Sequence, residues 1–227
     1  MIASNNWVRP VTRNYSMVKI LLIFLVLTSL AGCQSVYYTT MEKFGVEKRD
    51  ILVDRVEDAR GAQQDAKEQF KSALENYVLL IQVDGGNLEA MYRALQDDFD
   101  GSEKRASEVS SRIDSVEAVA EDLFAEWQQE LGQYTNKDLR RSSENQLENT
   151  QKRYRVLMQA MRKAERRMIP VLDAFRDRVL ILKHSLNARA IAALKQQREV
   201  IKSDIARLIR DMNRSIDEAD RFIKSME

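Results

Sequence analysis

Apolar side chains recur at alternating spacings of three and four residues along most of the chain after residue 50. This spacing is typical of amphipathic helices that pack through a heptad-like seam. Four stretches follow the pattern, and polar segments separate them. Their apolar positions run from Leu52 to Leu80, from Leu88 to Tyr134, from Leu147 to Leu182 and from Ile191 to Ile223. The pattern therefore predicts about four long helices.

The segments between these stretches have the composition of turns. Residues 84–87 read Asp-Gly-Gly-Asn. Two consecutive glycines favour a turn, and Asn87 is placed to cap the helix that follows. Thr135 and Asp138 are placed to cap the third helix, and another turn is predicted over residues 185–187. Such short connections make consecutive helices antiparallel.

Two positions inside the predicted helices carry residues that disturb helical structure. Gly101, after Asp100, is expected to kink or restart the second helix. Pro170 removes one backbone hydrogen bond from the third helix, which we expect to kink rather than end there. The four lengths are about 40, 47, 48 and 38 residues, or roughly 57–72 Å at 1.5 Å per residue. The predicted fold class is all-α, an elongated antiparallel helical bundle or coiled coil of about four long helices.

The composition narrows the possible functions. Only 7 Gly and 2 Pro occur among 227 residues, which disfavours sandwiches, barrels and Rossmann-like folds. A single Cys excludes an internal disulfide framework and a Cys-based zinc cage, and a single His excludes the two-His metalloprotease motif. The chain contains neither a P-loop nor a nucleophile-elbow motif. We therefore expect no catalytic residues, no cofactor, no metal, no nucleic acid and no small-molecule substrate.

Two features resemble functional sites but have simpler interpretations. Residues 98–101 resemble part of a calcium loop, but Gln96 and Ser107 stand where the first and last ligands would be. We therefore expect a solvated turn there. His184 is the sole histidine and is expected at the exposed end of the third helix, where its proton can meet unpaired carbonyl groups.

The N-terminal region has the features of a secretion signal. Residues 20–30 form an uncharged apolar run, Arg9, Arg13 and Lys19 precede it, and no acidic residue occurs before Glu42. A basic segment followed by a short apolar run is typical of a secretory signal. The run is shorter than the roughly 20 residues that a membrane-spanning helix needs. A cleaved signal is therefore favoured over a permanent span.

Leu30, Ala31, Gly32 and Cys33 end this run and resemble the lipobox of bacterial lipoproteins. The resemblance implies that Cys33, the only thiol of the chain, receives a diacylglyceryl group and becomes the first residue after cleavage. The alternatives are an ordinary secretory signal with a chance cysteine and a short N-terminal anchor helix. Gln34, where an Asp would imply inner-membrane retention, implies the periplasmic face of the outer membrane of a Gram-negative bacterium.

These features divide the chain into three parts. The predicted parts are a lipoprotein signal peptide over residues 1–32, a lipidated tether over residues 33–40 and a helical bundle domain over residues 41–227. Met17 would by itself begin a compact signal, so residues 1–16 are either a long N-terminal extension of the signal or a start-site artefact. Thr39 and Glu42 have capping-box spacing, which marks the expected start of the helical domain.

Charge is segregated along the chain, although the net charge is only +1. Residues 37–134 carry 11 basic and 22 acidic side chains, whereas residues 135–184 carry 13 basic and 6 acidic side chains. The predicted third helix is therefore basic and follows an acidic half. Six of its basic side chains cluster within a short span: Arg153, Arg155, Arg162, Lys163, Arg166 and Arg167.

This basic stripe has two interpretations. It can pair with the acidic helices and fix which helices are neighbours, or it can bind an anionic partner such as a lipid head group, lipopolysaccharide or an acidic protein. The predicted function is a membrane-anchored periplasmic lipoprotein whose helical domain acts as a spacer, scaffold or protein-interaction module. Its expected partners are the membrane, through the lipid, and an unknown protein or further copies of the chain. The alternative is a surface-binding protein for anionic lipid or lipopolysaccharide.

The lipobox and one further segment together resemble a known group of proteins. The further segment joins the third and fourth helices and reads LKHSLNARA over residues 182–190. The combination resembles an uncharacterised family of proteobacterial lipoproteins, a domain of unknown function. The resemblance implies a lipobox signal followed by a long-helical domain over most of the mature chain, and it implies no activity.

Overall fold

The structure is a computed structural model that describes residues 47–82, 87–184 and 188–226. Within these ranges it contains five α-helices, a short 3₁₀ turn over Leu131–Gln133 and no strand. The helices are α1 (Lys48–Gln82), α2 (Leu88–Glu130), α3 (Lys137–His184), α4 (Ala188–Gln196) and α5 (Arg198–Met226). The prediction of an all-α fold is confirmed. Thr39, Glu42 and the two predicted turn segments before Asn87 and before α4 lie outside the described residues.

The four long helices form a closed ring of neighbours. α1 packs against α2 and α5, and α3 also packs against α2 and α5. Interhelical pairs such as Asp58–Arg112 and Asp65–Arg105 show that α1 and α2 are antiparallel. The buried side chains of each helix recur at the predicted spacing, so they meet in one apolar core. The largest fully buried side chains include Tyr77, Phe70, Phe175, Phe222, Leu52 and Leu95.

α3 matches its prediction closely. It is 48 residues long and continues through Pro170. Pro170 cannot donate to the carbonyl group of Arg166, four residues earlier. Pro170 and Arg166 are both exposed, so water can solvate that carbonyl group. The long apolar seam on either side therefore outweighs the loss of one hydrogen bond.

The expected restart and the solvated turn around Gly101 are wrong, because α2 is helical throughout Leu88–Glu130. Asp98 lies inside this helix and accepts a hydrogen bond from the Asn76 side chain of α1 over 3.1 Å. At Gly101 the two helices are close: an added Cβ atom would lie 3.0 Å from Nε2 of Gln69. The glycine therefore serves helix packing, which outweighs its local preference for a turn.

Of the two predicted N-caps that lie in the described ranges, one is confirmed and the other is wrong. The Asn87 side chain accepts hydrogen bonds from the backbone N–H groups of Glu89 and Ala90 over 3.1 and 3.2 Å, as expected for the N-cap of α2. At the start of α3 the cap is Asn136, not Thr135 or Asp138. Its side chain accepts from the N–H groups of the second and third residues that follow, over 2.9 and 3.2 Å.

The predicted fourth helix is divided in two. Gln197 separates α4 from α5. Its N–H group donates to the Leu194 carbonyl group over 3.2 Å, and its own carbonyl group accepts from the Ile201 N–H group over 3.3 Å. The first bond spans only three residues, which tightens the backbone at this point. The described ranges therefore hold a four-cornered bundle whose fourth corner is made by two helices.

Candidate anion-binding surface on α3 and α5

The predicted lipidation site lies outside the described residues. This applies to Cys33, to the lipobox residues Leu30, Ala31 and Gly32, and to the tether that follows. Among the helices that the structure describes, none is both long enough and apolar enough to cross a membrane. The residues that can be placed are those of the basic stripe on α3.

The structure separates the basic stripe into two sets. Arg162, Lys163 and Arg167 form ion pairs with acidic residues of neighbouring helices. Arg153, Arg155 and Arg166 are exposed. The first set therefore follows the pairing interpretation, and only the second set is available to an outside partner.

Arg162 is the centre of an ion-pair cluster between α2 and α3. Its guanidinium group donates to Asp114 over 2.7 Å, to Glu117, and to both oxygens of Glu165 over 3.1 and 3.2 Å. Ser110 of α2 also donates to Glu165, over 2.6 Å. Partial burial lowers the pKa of Arg162, but these carboxylates outweigh burial and raise it above its ordinary value. The cluster links the basic helix to the acidic one.

Asp211 of α5 makes the corresponding link between α5 and α3. Its carboxylate accepts hydrogen bonds from Lys163 over 2.6 Å and from Arg167 over 3.2 Å, and its side chain is only 13% exposed. Burial raises the pKa of Asp211, but the hydrogen bonds and charges of the two cations outweigh it and lower the pKa. One carboxylate thus holds two members of the predicted stripe.

The remaining members of the stripe have no carboxylate partner in the described ranges. Arg155 and Arg166 make no interaction with another described side chain, and Arg153 contacts only the backbone carbonyl oxygen of Ser225, over 3.5 Å. Lys152 and Arg214 likewise have no ion pair among the described residues. These five cations form a surplus of positive charge on the outside of α3 and the facing part of α5.

A groove runs between α3 and α5 beside these cations. Its larger part has a volume of about 550 Å³, and the lining includes Lys152, Arg153 and Val156 from α3 and Arg221 and Phe222 from α5. A smaller part of about 160 Å³ shares Val156 and includes Arg214. We call the two parts together the α3–α5 groove. Its α5 residues could not be predicted from the sequence, because only the packing of α5 against α3 brings them beside the stripe.

The groove lies in the half of the bundle in which α1 begins. Arg60 of α1 pairs with Asp220 of α5 over 2.6 Å. Since α1 and α5 are antiparallel, Phe222 and Ser225 lie beside the turns of α1 that precede Arg60. Lys48, the first residue of α1, pairs with Glu126 near the end of α2 over 2.9 Å. Lys48 therefore lies in the half of the bundle that contains the groove.

The other residues singled out from the sequence lie at the end of α3 and in the α1–α2 interface. His184 is exposed at the end of α3, as predicted. Within the described ranges no group of three or more His, Cys, Asp or Glu side chains is arranged to hold a metal ion. Asp98, from the segment that resembles a calcium loop, lies in the α1–α2 interface, where burial is the main cause that raises its pKa.

The model of a family described as "Protein of unknown function (DUF2959)" matches residues 37–226. No curated protein and no solved structure matched the chain. The matched range begins before α1 and ends at the last residue of α5, so it includes every helix described above.

Proposed function

Since the chain belongs to this family of proteins of unknown function, we propose its function from the sequence and the fold. It is a membrane-anchored periplasmic lipoprotein whose helical bundle acts as a spacer, scaffold or protein-interaction module. Cys33 carries the lipid, and the bundle extends from the membrane surface. The bundle is not an enzyme in this proposal, and its partner is another protein or a further copy of the chain.

The observation that carries the proposal is the construction of α3. A continuous helix of 48 residues has a contour length of about 72 Å at 1.5 Å per residue. Ion pairs hold α3 to its neighbours: Arg162 joins it to α2, and Lys163 joins it to α5. A continuous helix that is packed on two sides resists bending. Such an element suits a role in holding two attachment points at a fixed separation.

The anchor is tested by labelling and fractionation in Gram-negative cells. Radiolabelled palmitate should enter the chain, and Cys33→Ala should abolish the label and release the chain from the membrane fraction. Ser35→Ala, a matched substitution outside the lipobox, should keep both. A Cys33→Ala chain that remains in the membrane fraction would show that another element anchors the protein.

The location is tested by separating the two membranes on a density gradient. The chain with Gln34 is expected in the outer-membrane fraction. Gln34→Asp should move it to the inner-membrane fraction, because an Asp after the lipidated cysteine favours retention there. Equal distributions of the two forms would remove the basis for the outer-membrane assignment.

The scaffold role is tested by crosslinking in intact cells followed by mass spectrometry. We expect crosslinks from surface lysines of the bundle to one protein partner or to a second copy of the chain. If crosslinks form only within one chain, the bundle has no stable protein partner under those conditions, and the scaffold role is wrong.

A second candidate function is binding to an anionic membrane surface. The observation that favours it is the exposure of Arg155 and Arg166 without carboxylate partners in the described ranges. The mature chain from Gln34 onward, produced without the signal and the lipid, should float with phosphatidylglycerol vesicles at low salt and dissociate as salt rises. It should not float with phosphatidylcholine vesicles. Absence of binding to both would exclude this function.

A further inference from the structure

We propose that the α3–α5 groove is a binding site for the phosphorylated head group of an anionic phospholipid. The inference rests on the second candidate function and gives it a site with a defined stoichiometry. In this arrangement the phosphate group is bound by the cations at the rim of the groove, which are Lys152, Arg153 and Arg214. The apolar floor contacts the glycerol group and the first carbons of the acyl chains.

The rim has cations that no carboxylate neutralises. Glu218 is held by Arg221 over 3.5 Å, and Asp211 is held by Lys163 and Arg167. These pairs use the two acidic side chains that line the groove. Lys152, Arg153 and Arg214 are therefore left with positive charge that faces the groove without an ion pair in the described ranges.

Arginine is suited to phosphate. Its planar guanidinium group offers parallel N–H donors that match two phosphate oxygens, and charge-assisted hydrogen bonds of this kind are short and strong. Arg153 of α3 lines the larger part of the groove and Arg214 of α5 lines the smaller part, so both helices contribute a guanidinium group to the groove. The only described hydrogen bond of Arg153 is a long one, 3.5 Å to the Ser225 carbonyl oxygen, so little is lost when the side chain turns to a ligand.

The floor of the groove explains why the ligand is a lipid rather than free phosphate. Val156 lines both parts of the groove and is 45% exposed, and the buried ring of Phe222 lines the larger part. An exposed valine amid cations offers nothing to inorganic phosphate. The aliphatic part of a lipid covers it and removes apolar surface from water.

The position of the groove also fits a ligand in the membrane. α1 begins at Lys48, in the same half as the groove. The 15 peptide units from Cys33 to Lys48 span at most about 54 Å when fully extended. A lipid anchor on Cys33 therefore keeps the groove within reach of the head groups of the membrane in which that anchor sits.

The proposal is tested with the full chain in a neutral detergent, where the anchor needs no bilayer. Native mass spectrometry counts bound molecules of dioctanoyl phosphatidylglycerol, with dioctanoyl phosphatidylcholine as the neutral probe. One phosphatidylglycerol molecule should bind per bundle at concentrations at which phosphatidylcholine does not. Arg153→Gln together with Arg214→Gln should weaken this binding by about tenfold or more, since two charge-assisted contacts are lost.

The matched control removes the same charge elsewhere. Arg93→Gln together with Arg198→Gln changes two exposed arginines that pair within their own segments, and it should leave phosphatidylglycerol binding unchanged. Equal weakening by both double variants would show that only net charge matters and would overturn the site. Equal binding of the two lipids to the parent chain would also overturn it. Circular dichroism of each variant confirms that the helices are retained.

Two further outcomes separate the proposals. If millimolar inorganic phosphate displaces the lipid completely, the groove is a phosphate site and the assignment to a lipid is wrong. If the groove variant still floats with anionic vesicles as the parent does, surface binding occurs on the outer face of α3 and not in the groove. Neither result depends on Cys33, so a failed anchor and a failed groove give different observations.

Discussion

Tyr77 of α1 donates a hydrogen bond from its phenolic oxygen to the backbone carbonyl oxygen of Leu194 in α4 over 2.6 Å. Tyr77 is fully buried, and the guanidinium group of Arg178 lies 5.8 Å from the centre of its ring. Leu194 is in the last turn of α4, immediately before the break at Gln197. The hydrogen bond therefore holds the interrupted corner of the bundle to α1.

Tyr77→Phe should destabilise the bundle and loosen α4. The substitution keeps the ring but removes a buried donor, which costs about 1–2 kcal/mol. Urea unfolding measures the loss, and hydrogen exchange should quicken most in α4. Tyr92→Phe is the matched control, because the Tyr92 hydroxyl lies 3.4 Å from Gln96 in a half-buried position within one helix. Equal effects of the two substitutions would mean that the bond to Leu194 contributes no particular stability.

The break at Gln197 shows what the sequence could and could not predict. The seam positions of α3 and the length of that helix follow from local spacing, and Asn87 follows from capping chemistry. The spacing also carries a signal for the break, since residues 195–199 are all polar. What holds that break is Tyr77, which is 117 positions from Leu194 in sequence. Such a contact is not visible in a periodic pattern.

The clustering of basic residues on α3 could be predicted from the sequence, but which of them form ion pairs could not. The spacing of Arg155, Arg162 and Arg166 places all three near one side of α3. Which of them meets an acidic residue depends on where Asp114 and Glu117 of α2 come to lie, and this depends on the rotation and register of α2. The groove could not be predicted either, because only the packing of α5 on α3 brings Arg214 beside the α3 residues that line it.

Arg162→Met should destabilise the bundle by about 2–3 kcal/mol, because it leaves Glu165 and its partners in α2 as uncompensated acidic neighbours. Arg155→Met on the same helix should change stability by no more than about 0.5 kcal/mol, since this arginine is exposed and has no ion pair in the described ranges. Urea unfolding of both variants at low and high salt measures the difference. A similar loss in both would show that the cluster around Arg162 is not a structural link.

Tyr154 should make the bundle sensitive to alkaline pH. Burial, and then the charges of Glu117 and Glu121, raise the pKa of Tyr154 to about 12. A tyrosine in the unfolded chain has a pKa of about 10. Between these values the unfolded chain loses a proton that the folded chain keeps. Stability from this group is therefore complete below about pH 10 and declines as pH rises towards 12.

The measurement is the free energy of unfolding in urea at several pH values from 8 to 11.5. Tyr154→Phe should flatten the decline, and it keeps the edge-to-face contact with the Phe124 ring, whose centre lies 5.3 Å away. Tyr134→Phe, at an exposed position, should leave the profile as it is. A profile that Tyr154→Phe does not change would show that other groups cause the alkaline loss.

Two glycines in helices should respond differently to alanine. Gly61 of α1 is exposed, and an added Cβ atom would meet nothing within 4 Å. Gly61→Ala should therefore stabilise the bundle by about 0.5–1 kcal/mol through helix propensity. Gly101→Ala should gain less, because its Cβ atom would lie 3.0 Å from Gln69 and displace that side chain. Thermal unfolding of the two variants measures which of them gains more stability. A larger gain for Gly101→Ala than for Gly61→Ala would contradict the prediction.

Gln63 of α1 occupies a seam position but is polar. It is fully buried, and neither atom of its amide group has a hydrogen-bond partner among the described residues. The hydroxyl group of Ser215 in α5 is also buried and has no hydrogen-bond partner among the described residues. Both lie in the part of the α1–α5 interface between the Arg60–Asp220 pair and the contact of Lys67 with Asn213. A polar layer thus interrupts the apolar core.

Gln63→Leu should stabilise the bundle by about 1–3 kcal/mol, because it replaces a desolvated amide that has no hydrogen-bond partner in the described ranges by an apolar side chain of similar size. Gln64→Leu, on the exposed side of the same helix turn, should have little effect. Urea unfolding measures both. If Gln63→Leu instead loses stability, buried water or a second chain satisfies the amide group. Sedimentation of the two variants then distinguishes these cases, since a single polar residue in a seam can fix the number of helices that associate.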